Sequence, residues 1–192
     1  GYGAVFEAAR ILNTFREKLA GQPHLTFNPG VIVGGTSVEY DGKASRGVGF
    51  GKSNVIAEHT VATGDVRALS PEQFAAAKKT MQDIVAASLP QTSATLTFDD
   101  GYPPLAPTSG NERLLALYNR ASLDVGTGLV VAVDSDKAGA ADVSFVAGHA
   151  EMILDGVGLM GSGGHTVNET ADLSTLPSMA KRMAVLLARL RR

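Results

Sequence analysis

Apolar positions recur at helical spacing where the chain begins and change to alternation further on. Over residues 4–20, Val5, Ala8, Leu12, Phe15 and Leu19 form one stripe at spacings of 3 and 4, which predicts an amphipathic helix. Gly21 and Pro23 end it, and Arg10, Arg16, Glu17 and Lys18 read as its solvated face. Residues 25–33 read as a strand through Phe27, Val31, Ile32 and Val33, bent at Asn28-Pro29-Gly30, since a strand proline favours an edge or a bend. Tyr40-Asp41-Gly42-Lys43 reads as a turn between two strands. A long strand is expected over 54–68, through Val55, Ile56, Val61 and Val66. Ser70-Pro71-Glu72-Gln73 starts a helix, with Ser70 as cap, Pro71 first and Gln73 closing a capping box. That helix is expected to run to about Ser88, with Phe74, Ala77, Met81, Ile84 and Val85 inward. Thr92–Phe98 alternates, placing Ala94, Leu96 and Phe98 on one face of a further strand.

The first part therefore reads as helix, strands, helix, strand: a ferredoxin-like βαββαβ unit without its first strand. Punctuation over Asp99–Pro107 predicts a boundary, dividing the chain into 1–106 and 107–192. Beyond it, Asn111–Ser122 reads as a helix carrying Leu114, Leu115, Leu117 and Tyr118. The continuous apolar run Leu129–Val133 predicts a strand buried on both faces. A helix is expected after Asp142, a short strand around Met152–Leu154, and a last helix over Ser174–Leu190. Lys181, Arg182, Arg189, Arg191 and Arg192 read as the solvated, dipole-favoured end of that helix. Helices alternating with buried strands indicate an α/β fold.

Composition narrows the function classes. The 192 residues are 44% hydrophobic, enough for a real core, and the net charge of −2 gives no basic footprint for nucleic acid. Zero cysteines exclude disulfides and thiolate metal sites. No apolar run approaches the roughly 18 residues that span a bilayer, so no membrane partner is expected. Compartment is not legible from these residues.

Candidate chemistry lies in Gly158-Leu159-Met160-Gly161-Ser162-Gly163-Gly164-His165-Thr166-Val167-Asn168-Glu169, a glycine-dense loop with one histidine and a polar run expected to lead into a helix. Glycines let the backbone approach a ligand closely, and an imidazole at the loop's end can bind a metal. One histidine does not make a zinc site, which wants three or four ligands. His24, His59 and His149 sit in no ligand pattern.

The loop resembles the last metal-ligand motif of the co-catalytic zinc peptidases. That family includes glutamate carboxypeptidases, aminoacylases, acetylornithine deacetylase and succinyl-diaminopimelate desuccinylase. Asn54-Val55-Ile56, followed by Gly64-Asp65-Val66-Arg67-Ala68, resembles the family's Asn-(Ile/Val)-Ile … Asp-(Val/Met)-Arg segment with matching spacing. Gly139-Ala140-Ala141-Asp142 resembles the small-residue turn and Asp that precede the metal loop.

The resemblance implies a ferredoxin-like lid domain followed by the C-terminal part of a catalytic domain. It implies two zinc ions, with cobalt or manganese as variants, and His165 as one terminal ligand. Arg67 would hold the substrate's free carboxylate. Asn54 would bind the same end or the reacting carbonyl, or serve a partner subunit's site. The backbone of Gly161, Gly163 and Gly164 would line the carboxylate pocket. The substrate would be a peptide or N-acyl amino acid, and the lid would make a homodimer through its first helix and an edge strand. The competing role for Arg67 is a strand pair with Asp65.

The family's upstream His-x-Asp, second Asp, Glu-Glu pair and further acidic ligand have no counterpart here. The resemblance thus covers the C-terminal half of a metallo-carboxypeptidase or amidohydrolase, a half expected to be inactive alone and to hold no metal tightly. Lacking the first lid strand and the N-terminal catalytic strands, it is expected not to fold self-sufficiently. The alternative reading is a non-catalytic ferredoxin-like module for dimerisation or amino-acid binding. Zinc should bind this chain no more tightly than it binds a surface histidine. A stoichiometric submicromolar site in calorimetry would reveal missed ligands.

Overall fold

Glu7, Ile11, Phe15 and Leu19 are the buried residues of α1, Gly3–Leu19. Their spacing of four draws a stripe rotated from the expected one, with Val5 and Phe6 left exposed. The reason is a carboxylate. Glu7 is only 2% exposed, and it stays charged there because Arg10 donates to both its oxygens, at 3.1 and 2.7 Å. Arg10 also donates to the Ile84 carbonyl at 3.1 Å, and the Leu89 amide donates to Glu7 at 3.1 Å. Arg10 is therefore an internal tie and not part of a solvated face.

The computed structural model describes residues 1–137 and 141–191. Gly139 and Ala140 of the expected turn, and Arg192, lie outside the described residues. The chain divides into two compact units, Gly1–Pro104 and Leu105–Arg192.

In the first unit, β1 (Thr26–Gly35) pairs antiparallel with β4 (His59–Arg67), with a register shift between Pro29 and Val31. The irregularity falls at the expected bend. β4 starts later than the alternation suggests, because Lys52–Val55 forms a turn closed by Val55 N–H on the Lys52 carbonyl at 3.0 Å. A hairpin of β2 (Ser37–Asp41) and β3 (Arg46–Phe50) follows β1. Asp41 Oδ1 accepts the Lys43 and Ala44 amides at 2.9 and 3.2 Å, fixing the expected turn. The hairpin lies close to β1: a Cβ on Gly47 would meet the Val33 side chain at 2.8 Å.

Helix α2 runs Pro71–Ala86, capped by Ser70 Oγ accepting the Gln73 amide at 3.2 Å. Ala77, Met81 and Val85 face Ile11, Phe15, Leu19 and Leu25 to make the core. Phe27 and Val66, register partners on β1 and β4, pack beneath it. Thr92–Phe98 forms no ladder with the described residues, contrary to the strand reading. Leu96 and Phe98 nonetheless pack on the core while Ala94 is exposed. Lys78 fastens this segment, with Nζ 4.8 Å from the Phe98 ring centre and 2.6 Å from Asp100.

The second unit is built on α3 (Ser109–Asp124) and α4 (Leu176–Leu190), packed through Tyr118, Ala121 and Leu186. Thr108 caps α3 by accepting the Asn111 amide at 3.1 Å. The expected buried strand Leu129–Val133 is not one: Leu129, Val131 and Val133 are 69%, 67% and 69% exposed, and only Val130 packs inward. The amide of Val130 is satisfied by the Asn119 side chain at 2.9 Å rather than by a strand. The helix expected after Asp142 is a 3₁₀ turn, Asp142–Val146. Met152–Leu154 forms no strand; the Ile153 amide bonds to Asn111 Oδ1 at 2.8 Å instead. Arg182 and Arg189 do not merely face solvent. Arg182 donates to the Thr127 hydroxyl and carbonyl at 2.7 and 2.6 Å, and Arg189 pairs with Asp124 at 2.6 Å.

Arg10's hydrogen bonds hold the Glu7 carboxyl below its ordinary pKa; burial opposes this and the Leu89 amide reinforces it. A lowered folded pKa contributes stability that is complete above the unfolded value of about 4.3 and is lost as pH falls through the folded value. Removing one partner of a buried pair costs roughly 3–5 kcal/mol. Arg10 is a quarter exposed, so Glu7→Ala should cost about 2–3 kcal/mol at neutral pH. Urea unfolding of Glu7→Gln should also show a flatter stability profile below about pH 4.3 than the parent.

Candidate functional site

Three places in the chain hold the candidate residues. Arg67 ends β4 and points away from the helices, as its neighbour Val66 points toward them. Its Nε donates to Asp65 Oδ2 at 2.9 Å, and the side chain is 76% exposed. The competing strand pair is therefore formed. It occupies one edge of the guanidinium, and the two terminal nitrogens have no partner among the described residues. An exposed pair of this kind contributes at most about 1 kcal/mol to stability, so Asp65 orients Arg67 more than it stabilises the fold.

Asn54 is exposed in the Lys52–Val55 turn. Arg67 is the last residue of β4 and Asn54 precedes its first, His59. At about 3.4 Å per residue, the two ends of the strand lie roughly 27 Å apart.

The glycine loop is a β-hairpin in the second unit. β5 (Gly161–Ser162) pairs with β6 (Thr170–Ala171), so the polar run turns back through a two-residue strand before the 3₁₀ turn Leu173–Thr175 and α4. Ser162 Oγ and Thr170 Oγ1 lie 3.0 Å apart across the pair. The Asp172 amide donates to the Met160 carbonyl at 2.8 Å, and the Met160 amide to Thr175 Oγ1 at 3.2 Å. Gly161, Gly163, Gly164 and His165 thus sit on one short, internally bonded element. Gly163 needs to be glycine: its φ is +69°, and a Cβ would meet the Asn168 carbonyl at 2.8 Å. His165 itself is left-handed, φ 63°. Its amide is held by Glu169 Oε2 at 3.2 Å, and its imidazole has no partner among the described residues.

A neutral imidazole on a fixed turn suits one zinc position. Among the described residues no three His, Asp or Glu side chains gather as a metal site. The donors present fit a single terminal ligand and no more. Sequence reasoning named Asp65 as the competing partner of Arg67, and the pair forms. It missed Glu169 as the partner of the His165 amide, for which the i+4 spacing across the loop was the available signal.

Two cavities among the described residues lie elsewhere. One, of about 270 Å³ in the second unit, is lined by Thr108, Asn111, Arg113, Glu151 and Ile153, with Arg113 paired to Glu151. The other, of about 360 Å³, lies beside α2 at Phe74, Lys78 and Asp100. No candidate residue lines either. Among the described residues no helix is long and apolar enough to cross a membrane.

Residues 1–93 match the family model described as a peptidase dimerisation domain. No curated protein sequence matches the chain. The structure is similar to the crystal structure of aminopeptidase PepT from Bacillus cereus ATCC 10987, with a TM-score of 0.70 and 18% sequence identity. That match covers 99% of this chain and 46% of the other, so this chain spans less than half the length of that relative.

Gly163→Ala should cost about 1–2 kcal/mol locally, because the added Cβ is strained both by φ and by contact. Amide hydrogen exchange should speed up across residues 161–171 and stay unchanged in α3.

Proposed function

We propose that the chain, whose first 93 residues match the family model described as a peptidase dimerisation domain, forms part of a zinc-dependent hydrolase of the glutamate carboxypeptidase type. Its reaction would be cleavage of the amide bond of a peptide or N-acyl amino acid that ends in a free carboxylate. The observation that carries this reading is Arg67. Its permanent charge sits at an open strand end, with Nε on Asp65 and the terminal nitrogens without a partner. That leaves an end-on fork of the geometry that recognises carboxylates.

His165 takes the role of one terminal metal ligand, offered on a hairpin whose glycines allow close approach. Two zinc ions, or cobalt or manganese, would supply an activated water and a polarised scissile carbonyl. Asn54 is set apart from Arg67 by the length of β4, which favours its service to a partner subunit's site. Gly161, Gly163 and Gly164 present backbone at the same end as His165 and would line the pocket.

The lid reading includes a homodimer through α1 and an edge strand. Phe6 on α1 and Val48 and Phe50 on β3 are large, apolar and exposed. An apolar patch beside a strand edge is where a second copy pairs.

Replacing Arg67 with Ala in the enzyme that contains this chain should lower kcat/KM for carboxylate-terminated substrates by about 2 kcal/mol, roughly thirtyfold. The loss for the amidated substrate should be much smaller. Equal losses for acid and amide would remove the carboxylate role. For assembly, light scattering should give a dimer, and Phe50→Lys should weaken it by about thirtyfold or more. A strict monomer at high concentration would count against this surface.

A further inference from the structure

We infer that Glu169 is a positioning residue, which with Thr166 locks the backbone of His165 so that its imidazole is presented free. The inference rests on the reading of His165 as a metal ligand, and the experiment below separates the two. His165 is the only non-glycine residue with positive φ among the described residues of the second unit. A histidine held left-handed in an exposed loop is strained unless its surroundings impose the conformation.

Here they do. Glu169 Oε2 accepts the His165 amide at 3.2 Å, and the Glu169 amide donates to the Thr166 carbonyl at 3.2 Å. The Thr166 amide and hydroxyl both donate to the Gly163 carbonyl, at 3.1 and 2.7 Å. The Asn168 amide closes onto Thr166 Oγ1 at 3.1 Å. The carboxylate and the hydroxyl are spent on loop backbone, while the imidazole has no partner among the described residues. Short hairpin turns often need one left-handed residue, usually glycine or asparagine; here a histidine fills that position.

The test is NMR on the enzyme that contains this chain, with Glu169→Ala and Glu169→Gln. Glu169→Ala should speed hydrogen exchange at the His165 amide by about tenfold and move its φ-dependent coupling toward the random-coil value. Glu169→Gln, whose amide oxygen still accepts, should stay within about threefold of the parent. The thermal midpoint should not move in either variant. The inference is overturned if Glu169→Ala leaves exchange and coupling as they were, if Glu169→Gln fails to rescue, or if the midpoint falls with them. Zinc content of the enzyme that contains this chain, compared with its His165→Ala variant, tests the ligand reading separately. Equal zinc content in the two while the amide results hold removes that reading and keeps the positioning role.

Discussion

Glu7 lies among apolar side chains, and a carboxylate in that place has to be matched by donors. The donors are Arg10, one turn along α1, and the Leu89 amide beyond the end of α2, and Arg10 in turn donates to the Ile84 carbonyl within α2. The same group that costs desolvation therefore fixes how α1 meets α2 and where the chain turns after α2. With that junction set, Ile11, Phe15 and Leu19 face Ala77, Met81 and Val85, and the layer above the β1–β4 pair closes. An apolar residue at position 7 would fill the space without specifying the angle.

Strands make the opposite demand. Their side chains can be satisfied by packing while their backbones are not. Leu96 and Phe98 reach the core, held by Lys78 over the Phe98 ring, although Thr92–Phe98 makes no ladder with the described residues. Leu129, Val131 and Val133 are apolar enough for a sheet interior yet stand exposed. Apolar content states what a segment is suited to cover; pairing depends on which backbone lies beside it.

The candidate chemistry is divided between two kinds of support. Arg67 sits at the end of a paired strand, oriented by Asp65 two residues before it. His165 sits on a two-residue ladder whose hydroxyls, amides and one carboxylate bond to one another. Rigid strands place a charged fork well. A tight glycine hairpin places a ring where a longer side chain or a helix would be too bulky.

Periodicity and capping determined the elements that depend on neighbours in sequence. The bounds of α1, the Ser70 cap of α2, the Asp41 turn and the bend at Pro29 follow from local backbone chemistry. The resemblance to a peptidase family was read from the spacing of Asn54, Arg67 and the glycine-histidine loop, and residues 1–93 match the model described as a peptidase dimerisation domain. Tertiary structure decided what periodicity cannot weigh. It turned the α1 stripe toward Glu7, because a distant amide was there for the carboxylate and a distant carbonyl for its partner Arg10. It spent Arg182 on the Thr127 loop and not on solvent. It left Leu129, Val131 and Val133 exposed and turned the chain after His165 back through a two-residue strand. Hydrophobic spacing records a residue's preference for burial, but burial and backbone pairing are settled by groups far away in sequence, which only the folded chain brings together.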